Sequence, residues 1–177
     1  MRLFWRKGYA ATSIEDLVDT LHLSRSSLYD TFGDKRKLFL EALRFYSQEV
    51  LGNLTQALTE ADSPVTGIHS IFDQLTAGVD HVSGEMGCFM VNSIAELAPH
   101  DPEVTEIASA YATTFQKLLT EALTQGALQG LVTKRQTPEQ LAAYIFNVIQ
   151  GMRVVIKAGA TLEQVQAVSA ITLNSLQ

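Results

Sequence analysis

Helix-start signals recur along this sequence wherever an apolar stripe begins, while the alternating pattern of a β-strand is nearly absent. Residues 12–15 (T-S-I-E), 137–140 (T-P-E-Q) and 161–164 (T-L-E-Q) each fit a capping box, in which a hydroxyl and the side chain three residues on satisfy free amides reciprocally. Ser63-Pro64 and Asp101-Pro102 pair an N-cap with a proline at the first helical position. Behind these starts the apolar residues keep helical spacing: Ile14, Leu17, Val18 and Leu21; Val65, Ile68, Phe72, Leu75 and Val79; Val104, Ile107, Tyr111, Phe115, Leu118 and Ala122. The pattern predicts an all-α chain with helices at 1–7, 13–21, 24–31, 35–60, 64–82, 88–98, 102–126, 138–157 and 162–176. No apolar run approaches the roughly 18 residues of a membrane span, and Arg2, Arg6 and Lys7 break the N-terminus where a secretory signal would be apolar. No membrane partner is expected, and a cytoplasmic location is. Cys88 is the single cysteine, which excludes an intrachain disulfide and a multi-cysteine metal site.

The segment 12–32 sets two helices of about eight residues around a turn of three, the size and spacing of a helix-turn-helix. Leu17, Leu21, Leu23, Leu28 and Phe32 are its expected small core. Arg25, Ser26, Ser27, Tyr29 and Asp30 are left on the outer face of the second helix, a short polar face that fits a DNA major groove. An ordinary surface helix of an α-bundle has the same spacing. The net charge of −6 argues at first sight against a nucleic acid, but it is unevenly shared. Residues 1–46 hold eight Lys and Arg against six Asp and Glu, whereas the rest hold five against thirteen. Lys35, Arg36 and Lys37 crowd the first turn of the next helix, where the dipole disfavours each cation by about 0.3–1 kcal/mol. A phosphate is the expected relief, and plain solvation is the alternative.

The run 3–14 (L-F-W-R-K-G-Y-A-A-T-S-I) with 23–35 (L-S-R-S-S-L-Y-D-T-F-G-D-K) resembles the DNA-binding domain of the TetR family of transcriptional regulators, nearly without gaps over about 45 residues. The resemblance implies that Gly8-Tyr9 ends the first helix, that Thr12 and Ser13 open the second near a phosphate, and that Ser24 to Thr31 form the recognition helix. It places Tyr29 and Lys35 on the DNA backbone. It further implies an all-helical homodimer on double-stranded operator DNA, with a helix-turn-helix domain over 1–46 and a ligand-binding and dimerisation domain over 47–177. Two departures stand out. The first helix is short for the family, so part of it is expected to be missing. Asp30 stands where an aromatic or basic residue is common, and its carboxylate repels phosphate but can accept from cytosine N4.

The C-terminal region is acidic and apolar. Phe89, Asn92, Tyr111, Phe115 and Met152 are candidates for lining a small-molecule effector pocket, although aromatic stripes at helical spacing also make plain core. Tyr144, Ile145, Val148, Ile149, Met152 and Val155 cover too much of one helix for a single buried face. With Val165 and Val168 they are the candidate dimer interface. Cys88 follows Gly87 at a helix start, where thiolate is favoured. The stretch 87–97 resembles a TetR subgroup of which some members respond to electrophiles or oxidants. Lys157 falls where such proteins carry a lysine; inert packing is the other account of Cys88. His22, His69, His81 and His100 show no metal spacing, and no catalytic or cofactor motif is present, so neither enzyme, metal nor cofactor is expected. The reading is an effector-released repressor. Its alternative is a helical ligand-binding or interaction module without DNA binding.

Overall fold

A computed structural model describes residues 1–80 and 86–176. Among them lie nine α-helices and no strand: α1 (Arg2–Lys7), α2 (Ile14–Leu21), α3 (Arg25–Phe32), α4 (Lys35–Thr59), α5 (Pro64–Ala77), α6 (Phe89–Leu97), α7 (Pro102–Leu128), α8 (Pro138–Lys157) and α9 (Leu162–Asn174). A 3₁₀ turn follows α5 over Gly78–Asp80. Most of the expected loop at 83–87, and His81, fall outside the described residues.

The expected starts form with one shift. Thr137 and Thr161 close full capping boxes with Gln140 and Gln164, and Ser63 caps α5 ahead of Pro64. At α2 the box is one residue later than expected: Ser13 is the N-cap and Asp16 its partner. Thr12 is instead completely buried, its hydroxyl donating to the Gly8 carbonyl at 2.6 Å.

The chain packs as two compact units that do not follow sequence order. The first comprises Met1–Glu49 and Cys88–Ser109, the second Val50–Gly87 and Ala110–Gln177. In the first, α2 packs on α3, and an aromatic cluster forms the interior. Phe39 meets Phe4 edge-on at 5.3 Å and Phe89 at 5.7 Å, while Trp5 meets Tyr46 at 5.1 Å. Phe89 packs the start of α6 into this unit. Leu17 and Leu28 are buried as expected and Phe32 is half-buried, but Leu21 is 42% exposed and Leu23 38%. His22 between them takes the left-handed conformation (φ 54°), which turns the chain out of α2 and leaves both leucines outside the small core.

In the second unit α9 packs on α5 and α8, and α5 on α8. Tyr111, Phe115 and Phe146 form a second aromatic layer, with ring centroids 5.3–6.3 Å apart. No helix among the described residues is long and apolar enough to cross a membrane. No group of three or more His, Cys, Asp or Glu among them could hold a metal ion.

Candidate nucleic-acid interface

Two local devices aim α3 outward. Ser24 caps it, accepting from the Ser27 amide at 3.1 Å, and Leu28, fully buried, anchors its inner face. Arg25, Ser26, Ser27, Tyr29 and Asp30 are all exposed on the other side. The Ser24 hydroxyl also meets those of Ser26 and Ser27 at 2.9 and 2.8 Å, so the three serines form one polar cluster at the start of the helix. Arg25 is ion-paired directly with Glu15 of α2, and both side chains are solvent-exposed, a setting in which an ion pair contributes little.

Ser13 is exposed, and its cap is reinforced from α1. Lys7 donates to Asp16 at 2.7 Å, and Asp16 also accepts from the Ser13 amide at 2.9 Å. These bonds, Lys7 first, hold the Asp16 carboxyl down at about 2.

Two of the crowded cations at the start of α4, Lys35 and Arg36, have internal partners. Lys35 donates to the carbonyls of Tyr9 and Thr12, at 2.9 Å each, with its ammonium 4.3 Å from the centre of the Tyr9 ring. It therefore braces the α1–α2 turn. Arg36 forks onto Asp101 at 2.8 and 3.1 Å and also reaches Glu103; these bonds lower the Asp101 carboxyl from its ordinary value and raise the guanidinium. Asp101 in turn accepts from the amides of Glu103 and Val104, capping α7. Of the residues expected at the DNA, the Thr12 side chain is buried and the Lys35 ammonium donates to two backbone carbonyls. Glu96 of α6, which sequence inspection passed over, accepts from the amides of Tyr9 and Ala10 at 3.0 and 2.8 Å.

The effector candidates divide between the units. Cys88 and Phe89 belong to the first. Cys88 is 2% exposed, with the Tyr46 hydroxyl donating to its sulfur at 3.4 Å, and Phe89 is buried among Trp5, Phe39 and Tyr46. Phe89 is therefore core of the first unit. Asn92 is half-buried. Tyr111, Phe115 and Met152 are buried in the second unit, where the exposed Lys157 lays its stem against Gly87. One residue missed from sequence stands out there. Gln150, one turn beyond Phe146 on α8, has its amide nitrogen and oxygen buried with no hydrogen-bond partner among the described residues. An open groove of about 670 Å³ between the end of α4 and α5 is lined by polar residues, Asn53, Gln56, Glu60 and Ser70 among them, and by none of the expected effector residues.

The dimer candidates also divide. Ile145, Ile149, Met152 and Val165 are buried within their own unit and drop out. Tyr144, Val155 and Val168 are exposed and Val148 is half-buried. Val154, Leu162 and Ile171 join them, with Ile171 69% exposed. The surplus apolar surface on α8 is real, but only its outer stripe is available.

Residues 1–42 match the family model described as "Bacterial regulatory proteins, tetR family", and residues 64–171 match "Tetracyclin repressor-like, C-terminal domain". The chain is 27% identical to the HTH-type transcriptional regulator YezE of Bacillus subtilis, over 99% of this chain and 91% of that protein. It is 27% identical to the HTH-type transcriptional repressor ComR of Escherichia coli, over 98% and 83%. Among solved structures, a cysteine variant of the TetR family regulator CifR in complex with 26-bp operator DNA is 25% identical, covers 98% of this chain and 91% of that one, and superposes with a TM-score of 0.85. Reduced E. coli NemR, at 19% identity, covers 99% and 92% with a TM-score of 0.91 and shows the shared fold.

Proposed function

The chain belongs to the TetR family of bacterial regulatory proteins, and on that premise we propose that it is a transcriptional repressor that binds a near-palindromic operator as a homodimer and is released by a small-molecule effector. The observation that carries the DNA-binding part is α3: five consecutive-turn polar side chains stand outside while Leu28 pins the helix from within. Two such helices, one per subunit, enter successive major grooves about 34 Å apart. Arg25 and Asp30 then read base edges, and Ser13, Ser26, Ser27 and Tyr29 meet the backbone, whereas Thr12, Ser24 and Lys35 act by holding the turn and the caps. The functional division falls after residue 46, even though α6 packs with the reading head.

The dimer is assigned to the outer stripes of α8 and α9, where Tyr144, Val155, Val168 and Ile171 are solvent-exposed and Val148 is half-buried, an apolar surface that a partner would cover. The effector is assigned to the second unit beside Gln150. A buried carboxamide without partners is destabilising by about 1–3 kcal/mol per group, so a ligand offering both a donor and an acceptor gains by filling it. Burial of Cys88 favours such a ligand over an oxidant as the effector.

One observation favours the module without DNA binding: Arg25, Lys35 and Arg36 all have internal partners. Fluorescence anisotropy with DNA from the protein's own upstream region, at two salt concentrations, decides between the two. Saturable, sequence-selective binding with a log-log salt slope of about −0.9 per phosphate contact is expected. A folded dimer that binds none of this DNA at low salt overturns the regulator in favour of the module.

A further inference from the structure

The α1–α2 turn is gripped from two sides. Its carbonyls at Tyr9 and Thr12 accept from Lys35 of α4, and its amides at Tyr9 and Ala10 donate to the two oxygens of Glu96, Oε2 and Oε1 respectively. Gly8 makes room for that carboxylate: a Cβ on it would lie 2.9 Å from Glu96 Oε2. The turn leads directly into the Ser13 cap, and Lys7 on its other side is tied to Asp16, so α1, the turn and α2 are joined in series. α2 in turn carries α3. Glu96 stands near the end of a nine-residue helix whose first residue, Phe89, is packed against Trp5, Phe39 and Tyr46. α6 is therefore fastened at both ends to the helices that present α3, all within one compact unit.

We propose that Glu96 is a positioning residue for DNA recognition: from α6 its carboxylate fixes the α1–α2 turn, and with it the angle at which α2 and α3 meet the operator. The proposal rests on the regulator reading above. A carboxylate is what the turn requires, because two neighbouring amides need two acceptors on one planar group. Glutamine offers one acceptor and one donor and can satisfy only one amide. Alanine satisfies neither.

The test uses the full chain, an upstream duplex that the wild type binds, and a scrambled duplex of equal length. Titrations run well below the melting temperature of every variant, so that all molecules are folded. E96A is expected to bind the operator at least about tenfold more weakly, about what one wrong base pair does, with E96Q between it and the wild type. Binding to the scrambled duplex and the salt slope stay unchanged, since no phosphate contact is removed. A contact that only stabilised the fold would shift the melting temperature and leave the affinity of folded protein alone. E96A affinity within about twofold of wild type overturns the proposal, as does an equal loss on both duplexes. A wild type that binds no upstream duplex overturns the regulator reading, and this proposal with it.

Discussion

Replacing Gly8 with alanine probes the grip on the α1–α2 turn through stability alone. Gly8 follows α1 at φ 84° and ψ 169°, a region open to glycine and essentially closed to residues with a Cβ, which carry about 1–3 kcal/mol of strain there. The added Cβ would also lie 2.9 Å from Glu96 Oε2. That oxygen accepts from the Tyr9 amide at 3.0 Å, so the carboxylate must withdraw, at a loss of about 0.5–1.5 kcal/mol per hydrogen bond. Together these predict a destabilisation of about 2–4 kcal/mol. Two controls isolate the contributions. Gly130 has φ 73° and nothing within 4 Å of an added Cβ, so Gly130→Ala carries backbone strain alone, about 1–2 kcal/mol. Gly52 lies inside α4 with nothing within 4 Å, so Gly52→Ala stabilises by about 0.8–1 kcal/mol. Urea unfolding followed by circular dichroism, with all variants at one protein concentration because any self-association makes apparent stability depend on it, should rank Gly52→Ala above wild type, then Gly130→Ala, then Gly8→Ala. A Gly8→Ala midpoint equal to or above that of Gly130→Ala refutes the reasoning.

Leu28→Ala empties a fully buried site beneath α3 and should destabilise by about 2–5 kcal/mol; calorimetry reads the loss, and a melting temperature unchanged from wild type contradicts the anchor. Asp16 is held at about 2 by Lys7 and Ser13, below its unfolded value, so its contribution is present at neutral pH and is lost as pH falls from about 4 toward 2. Asp16→Asn should flatten that acid limb in a pH titration of helicity, and an unaltered limb counts against the cap. Ile171→Glu places a charge on the exposed stripe of α9 and should convert dimer to monomer in sedimentation velocity, whereas a dimer of undiminished affinity moves the interface elsewhere. Cys88, 2% exposed, should react with a thiol reagent slowly in the native protein and fast in urea; rapid native labelling would reopen the oxidant reading.

The helix starts were legible because caps join residues two to four apart, and a chain that short cannot place them otherwise. Thr137, Thr161 and Ser63 needed no tertiary context. The outward face of α3 was legible for the same reason, since Leu28 and its neighbours follow from helical period. Where the sequence offered two equivalent choices it could not choose. Thr12 and Ser13 are both hydroxyl residues before α2, and burial of Thr12 decided which one caps. α8 carries two apolar stripes, and packing against α5 and α9 decided that Ile145, Ile149 and Met152 face inward while Tyr144 and Val155 face out.

By itself, then, the sequence determined an all-α chain, most of its helix starts and the polar outward face of α3, all consequences of interactions within a turn or two of helix. Only the tertiary structure decided who neutralises whom. Arg36 meets Asp101 65 residues away, and Glu96 meets Tyr9 across 87. The helix dipole and Coulomb attraction require an opposite charge near the start of α4, but they are indifferent to where along the chain it comes from. Packing the start of α7 with the helix-turn-helix supplied Arg36 with the carboxylates of Asp101 and Glu103, and packing α6 there supplied the Tyr9 and Ala10 amides with that of Glu96.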